Sequence, residues 1–316
     1  MSFKNTVNSM TLILIISLLL ISSGVMAQDF PLTVTDGLGE EIVLEEKPTK
    51  IISISPNMTE ILFAVGAGDN VIGVTTFADY PEEATEVDKI GTITEPNIEK
   101  IIEMEPDVVI ASSVNKMETV DRLKELNVKV AGFSADNVNM GIENIKKIGK
   151  LTGNEKESDE IVTEMYIKIA EINNLVEEHL EDNDKRKVFY EIWNDPLYTA
   201  GENNFIDDLI NMAGGINIGR LAEGQWPQYN LEKLLVEDPE VYISTPHSAE
   251  MEVSKEQIKN RDQYQSISAI KNDRVYLIDE DIVNRPSPRL VKGLELMTKA
   301  VFPELSEEVD EIMDED

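Results

Sequence analysis

Two fifteen-residue stretches of this chain are near copies, and any fold it adopts must accommodate both in the same way. Asn97 to Ala111 reads NIEKIIEMEPDVVIA, and Asn230 to Ser244 reads NLEKLLVEDPEVYIS. Six positions are identical, and six more exchange Ile for Leu, Asp for Glu or Ala for Ser. Each copy reads as a helix, a turn ending in Pro and a buried strand. The chain is therefore expected to contain two copies of one α/β unit related by a pseudo-two-fold.

The surrounding sequence supplies the rest of each unit. In the first half, Ile51 to Ile54, Val71 to Thr75, Val108 to Ala111 and Val128 to Phe133 are short β-branched runs. They alternate with helical patterns, the pattern of a parallel sheet. Ser55 and Pro56 suit the cap and first position of a helix running to about Val65, where Gly66-Ala67-Gly68 stops it. A polar helix is expected from Lys116 to Leu126.

From Asn154 to Leu180 the pattern changes. Ile161, Met165, Ile169, Ile172 and Val176 recur at helical spacing with no strand signal, predicting one long amphipathic helix. Alternation then resumes with strands at Val188 to Ile192, Val241 to Ser244 and Val275 to Ile278. Helices are expected near Phe205 to Ala213 and from Pro288 to Val301. The reading is two Rossmann-like α/β lobes with parallel sheets, joined by a single long α-helix. The lobes span 28–152 and 183–303, the connecting helix 153–182, and a frayed acidic tail 304–316. A helical connector is stiffer than a loop, so small-amplitude lobe motion is expected.

The N-terminus reads as an export signal. Lys4 precedes the apolar run Met10 to Ile21, and Val25-Met26-Ala27 places cleavage after Ala27, leaving a soluble periplasmic protein. That run is short for a membrane span, which needs roughly 20 apolar residues. The chain has no cysteine, which excludes disulfides, thiolate metal sites, cysteine nucleophiles and a lipid-anchoring Cys. With 61 acidic and 28 basic residues, the net charge is −33. No basic footprint for nucleic acid exists, and an acidic surface disfavours anionic lipid. The charge reads as a solubility device.

The repeat puts Glu99 and Glu232 at the same place in the first turn of a helix. A carboxylate there suits the helix dipole or a capping box. As a matched pair on matched lobes, the two also suit a two-fold symmetric partner carrying cations.

Several motifs in order suggest a family. They are Ser55-Pro56-Asn57-Met58-Thr59-Glu60, Gly73 to Pro81 (GVTTFADYP), Asn97-Ile98-Glu99 and Glu105 to Ala111 in the first half. In the second half they are Asp195 to Gly201 (DPLYTAG), Gly214 to Ile218 (GGINI), Trp226-Pro227-Gln228 and Arg285 to Arg289 (RPSPR). With these, the chain resembles the periplasmic binding proteins that serve ABC importers of vitamin B12 and iron–siderophore complexes, nearest in character to the vitamin B12-binding members. The resemblance covers about Lys50 to Phe302. It implies the rigid class III fold, a ligand cleft between the lobes, and no catalysis or cofactor. It also implies docking of Glu99 and Glu232 to arginines of the membrane permease.

Carried over by motif, the cleft residues would be Pro56, Phe77, Trp226, Asp281 and Arg285, with Trp193 a further candidate. A corrin is large and flat, with apolar faces and an amide edge, so it needs aromatic walls and a few polar anchors. Arg285 and Asp281, four apart, are expected to orient each other and bond the ligand; Arg289 is assigned to the helix start or packing. Where vitamin B12-binding members carry aromatics, this chain has Ile93 and Ser112. That leaves a siderophore or haem as the alternative ligand. His179, expected on the polar part of the connecting helix, and His247, the only histidines, show no mutual spacing for a metal site. No phosphate-cradling loop or nucleophile elbow points to an enzyme. An adhesion or signalling ectodomain would lack a deep cleft. The protein is expected to act as a monomer.

Overall fold

The computed structural model describes residues 30–245 and 253–314. The export signal and cleavage site (1–27) and His247 lie outside the described residues. None of the described helices is long and apolar enough to cross a membrane.

The chain opens with an antiparallel hairpin, β1 (Leu32–Thr35) and β2 (Glu41–Leu44), which the sequence reading did not foresee. Its turn is held by Asp36. One carboxylate oxygen accepts the Leu38 and Glu40 amides at 2.9 Å each, and the other accepts the Gly132 amide at 2.8 Å.

The first lobe follows as β3 (Ile51–Ser53), α1 (Pro56–Ala64), β4 (Val71–Val74), α2 (Ile98–Glu103), β5 (Val108–Ser112), α3 (Met117–Glu125), β6 (Val130–Phe133) and α4 (Val138–Thr152). Its sheet is parallel in the order β4-β3-β5-β6. Strands β3, β5 and β6 are buried at every position, which is why they read as continuous apolar runs. Next comes α5 (Glu155–Asp182), 28 residues and roughly 42 Å long.

The second lobe holds β7 (Arg186–Asn194), β8 (Leu197–Thr199), α6 (Phe205–Met212), β9 (Gly215–Asn217), α7 (Leu231–Glu237), β10 (Val241–Ser244), β11 (Val275–Leu277) and α8 (Leu290–Val301). The first half of β7 pairs in parallel with β9 and its second half antiparallel with β8. Setting β8 aside, the parallel order is β9-β7-β10-β11, the same winding as the first lobe.

The repeated segment is duplicated down to single contacts. Asn97 and Asn230 cap α2 and α7, each side chain accepting a backbone N–H at 3.0 Å, from Lys100 and Lys233. Capping therefore belongs to the asparagines and not to Glu99 or Glu232. Each helix is followed by a left-handed residue, Glu105 (φ 50°) and Asp238 (φ 47°), directly before the proline. For a side-chain-bearing residue that conformation costs about 1–2 kcal/mol. Its recurrence at one register shows that both copies need the same reversal. Two positions on, Asp107 and Glu240 accept the backbone amides of Lys50 and Lys187, pinning the start of the neighbouring strand.

Three expectations are corrected. Ser55 sits at the cap position of α1, but its hydroxyl does not cap the helix; it is drawn into a side-chain chain described below. His179 does not lie on the polar side of the connecting helix. Its side chain is 15% exposed, with its ring edge-on to Phe302 at 4.6 Å and Nε2 3.4 Å from Glu304. The acidic tail is not frayed, because residues Ser306–Asp314 form α9. There Val309 is fully buried, and Ile312 and Met313 pack against the main core. The three-and-four spacing of those residues makes an apolar stripe that the surrounding acids obscure. One hydrophobic cluster runs from Ile51 through the stripe of α5 (Val162, Met165, Ile169, Ile172, Val176) to Phe302, so both lobes share a core.

Candidate ligand cleft

In a wound parallel sheet, ligands bind beyond the carboxyl ends of the strands. Both sheets of this protein present those ends to one cleft of about 450 Å³ between the lobes. Residues just past β3 (Ser55, Pro56), at the ends of β5 (Ser112) and β6 (Phe133), and near the end of β7 (Ile192) all line it.

The first-lobe wall sets a chain of hydroxyls among apolar side chains such as Met58, Ile93, Val114 and Phe133. Ser112 Oγ donates to Ser55 Oγ at 2.7 Å, and Ser55 Oγ donates to Asn57 Oδ1 at 2.5 Å. Asn115 fixes the loop behind them, donating to the carbonyls of Ile54 (2.8 Å) and Ile93 (3.0 Å) and accepting the Ser112 amide (2.9 Å). Phe77 stands at the mouth, 51% exposed.

The second-lobe wall carries Trp226, 44% exposed, with its ring edge-on to Phe205 at 6.0 Å. Its loop is held by Asn204, which donates to the Gly201 and Gln225 carbonyls at 3.1 and 2.6 Å. The backbone passes so closely there that a Cβ on Gly201 would lie 2.1 Å from the Gly224 carbonyl oxygen.

The floor is an ion network that crosses between the lobes, and of its members only Arg285 and Asp281 reach the cleft lining. Glu60, on α1 and 2% exposed, accepts from Arg285 Nη1 (3.2 Å), Ser287 Oγ (2.7 Å), Arg289 Nε (2.9 Å) and Arg289 Nη2 (2.5 Å). Arg285 also reaches Asp79 of the first lobe at 2.6 Å and pairs with Asp281. Arg289 stacks on the ring of Tyr80 at 4.2 Å. Burial opposes ionisation of Asp79, but the hydrogen bond and the charge of Arg285, with further hydrogen bonds, together overcome it and hold that carboxyl below its usual value. Asp281 goes the other way: burial, with Asp79 and Asp279 nearby, outweighs Arg285 and pushes its carboxyl up to about 6. A second tie crosses the lobes where Asp208 of α6 accepts the backbone amide of Val138 at the start of α4, at 3.1 Å.

Of the residues nominated from sequence, Pro56, Phe77, Trp226, Asp281 and Arg285 line the cleft, as do Ile93 and Ser112. Trp193 is not among the lining residues. It lies in β7, opposite Tyr198 of β8, and its indole donates to the Asp195 carbonyl at 2.8 Å. Arg289 begins α8 and faces Glu60, consistent with a packing role. Glu99 and Glu232 lie outside the cleft, exposed on α2 and α7, and no ion pair engages either among the described residues. The sequence reading missed Glu60 and Asp79 as partners of Arg285, and missed the hydroxyl chain. The end-of-strand position of Ser112 was the available signal for the latter.

A family model described as periplasmic binding protein matches residues 51–282. The chain is 32% identical over 286 residues to an uncharacterised ABC transporter substrate-binding lipoprotein of Bacillus subtilis, covering 88% of each. It is 26% identical over 251 residues to a vitamin B12-binding protein of Vibrio cholerae, covering 78% of this chain and 86% of that one. Among solved structures, a possible iron-binding (periplasmic solute-binding) protein from Staphylococcus epidermidis superimposes with a TM-score of 0.70 at 30% identity. That match covers 81% of this chain and all of the other.

Proposed function

This chain belongs to the periplasmic binding protein family, and we propose from that premise that it is the substrate-binding component of an ABC importer, capturing a corrinoid of the cobalamin type. The observation that carries the reading is the pair of half-exposed aromatics, Phe77 on one lobe and Trp226 on the other, at a cleft whose other lining mixes apolar side chains such as Met58, Ile93 and Val114 with hydroxyls, amides and carboxylates. Aromatic faces suit a flat apolar macrocycle, and hydroxyls and amides suit its amide rim. A cleft of 450 Å³ holds part of such a ligand and leaves the rest standing at the mouth. The relatives named for vitamin B12 point the same way.

Delivery is assigned to Glu99 and Glu232. The repeated lysines beside them are turned away, Lys100 onto the Lys89 carbonyl and Lys233 onto the Leu221 carbonyl. Each docking helix therefore offers its carboxylate unneutralised. One turn from Glu232, Val236 is 80% exposed, an apolar contact suited to a protein partner. Matched carboxylates on matched lobes fit a permease whose two membrane subunits each supply an arginine.

A second reading, an iron chelate or haem as ligand, is favoured by the Staphylococcus relative described as possibly iron-binding. Titration of the purified protein with cyanocobalamin, by calorimetry and co-elution of the red chromophore, separates the two. Sub-micromolar stoichiometric binding supports the corrinoid. Absence of binding moves the ligand to an iron chelate. Unchanged binding in a Trp226→Ala variant would place the contact surface outside this cleft.

A further inference from the structure

Among the described residues the cleft has one lysine or arginine along its lining, Arg285, and that cation is already committed. Its Nη1 is shared by Glu60 at 3.2 Å and Asp79 at 2.6 Å, its Nη2 is taken by Asp281, and its side chain is 13% exposed. The next cation, Arg289, is spent on Glu60 and the Tyr80 ring. Residues 246–252, outside the described residues, contain no Lys or Arg in their sequence.

Against these committed cations stand carboxylates. Asp136 lines the cleft just before α4, is exposed, and has no ion pair or side-chain hydrogen bond among the described residues. Asp281 and Glu280 line it too. The three sit in a protein of net charge −33, so no distant cation excess offsets them.

We propose that this cleft selects its ligand by charge: it admits neutral or cationic macrocycles and chelates rimmed by amides, and rejects those carrying free carboxylates or catecholates. A ligand carboxylate would meet Asp136 at close range and find no unpaired cation. To gain one it would have to displace Asp79 or Asp281 from Arg285 and leave a half-buried charge unmatched. A ligand amide N–H, by contrast, can donate to Asp136, and amide carbonyls bring no negative charge to the cleft. This inference rests on the assignment of the inter-lobe cleft as the solute site. It deepens that assignment by ranking corrinoids above anionic iron chelates.

The test compares four probes on the purified protein, by calorimetry and by quenching of Trp226 fluorescence in a Trp193→Phe background. They are cyanocobalamin (neutral), aquocobinamide (cationic, without the nucleotide arm), haemin (two propionates) and ferrioxamine B (a cationic ferric trihydroxamate). At 0.15 M salt the two corrinoids should bind at least about tenfold tighter than haemin, a gap that narrows as salt is raised. Asp136→Arg should then raise haemin affinity about tenfold while cyanocobalamin, which loses an amide acceptor, binds more weakly, opposite shifts that loss of folding cannot imitate. Equal affinity for haemin and the corrinoids would overturn charge selection and leave the corrinoid assignment standing. Binding of ferrioxamine B alone would overturn the corrinoid assignment and support charge selection. Preference for haemin would overturn both.

Discussion

Glu60 of the first lobe and Arg289 of the second face each other as a two-pronged ion pair, Oε2 to Nε at 2.9 Å and Oε1 to Nη2 at 2.5 Å. With Arg285 and Ser287 on the same carboxylate, this one side chain gathers four hydrogen bonds across the lobe boundary. Breaking a buried pair by removing one partner typically costs about 3–5 kcal/mol, because the stranded charges stay desolvated. Glu60→Ala should destabilise the protein by about that amount in urea unfolding. A loss below about 1 kcal/mol would show that the floor relaxes to let water in.

Trp226 is expected to dominate ligand affinity. Truncating a central aromatic typically costs about 2–4 kcal/mol of binding, so Trp226→Ala should weaken the bound solute about 30-fold or more. Its half-exposed ring predicts little change in melting temperature. Trp193→Phe is the matched control and should bind normally, since Trp193 is not part of the cleft lining. Equal effects of the two substitutions would count against the assigned wall.

Charge reversal at Glu99 and Glu232 together should leave solute affinity unchanged while abolishing uptake in cells that depend on this carrier. Each single reversal should give a partial loss. The melting curve is expected to stay put, because neither carboxylate caps its helix; Asn97 and Asn230 do. Normal uptake by the double variant would remove both residues from docking.

Asp281 makes the molecule respond to acid. Its folded value, about 6, lies above the roughly 3.9 of an unfolded Asp, so between about pH 4 and 6 the folded state binds the extra proton. Its contribution to stability is therefore greatest below pH 4, falls as pH rises to 6, and is flat above. Asp79, held low, contributes in the opposite sense and shares a hydrogen bond with Asp281, so the readout is the difference between variant and parent at each pH. Asp281→Asn should match the parent near pH 4 and melt a few degrees higher at pH 8. A variant less stable than the parent at pH 8 would show that pairing with Arg285 outweighs burial.

Deleting residues 306–316 should cost at least about 2 kcal/mol, the value of re-exposing a fully buried Val309 side chain and the surface beneath it. Unchanged stability would return that segment to the role of a passive acidic tail.

The sequence disclosed the lobes because their strands are buried on both faces and stand out as unbroken runs such as Val108 to Ala111. The repeat disclosed more, since its copies match even in the left-handed residues Glu105 and Asp238. The hairpin β1–β2 stayed hidden: its four-residue strands alternate in burial, and its turn is held by Asp36 reaching Gly132, a contact no local pattern announces. The floor was equally silent. Arg285 meets Glu60 across 225 positions and Asp79 across 206, and in a chain with 61 acidic residues no pairing can be read from spacing. Five cleft residues came from motifs. Trp193 was nominated because it lies at a strand end, but the β8 hairpin holds that edge of β7 and the indole turns to its own turn carbonyl.

The carboxylate of Glu60 also bears on how such a carrier announces its state. With the floor cross-stitched and a core shared between lobes, the full and empty forms should have nearly the same silhouette, and their scattering profiles should superimpose. A transporter cannot then tell them apart by outline. On the corrinoid reading, what differs is the freight: the part of the solute that stands proud of Phe77 and Trp226 becomes part of the surface presented for inspection, so the passenger serves as its own ticket.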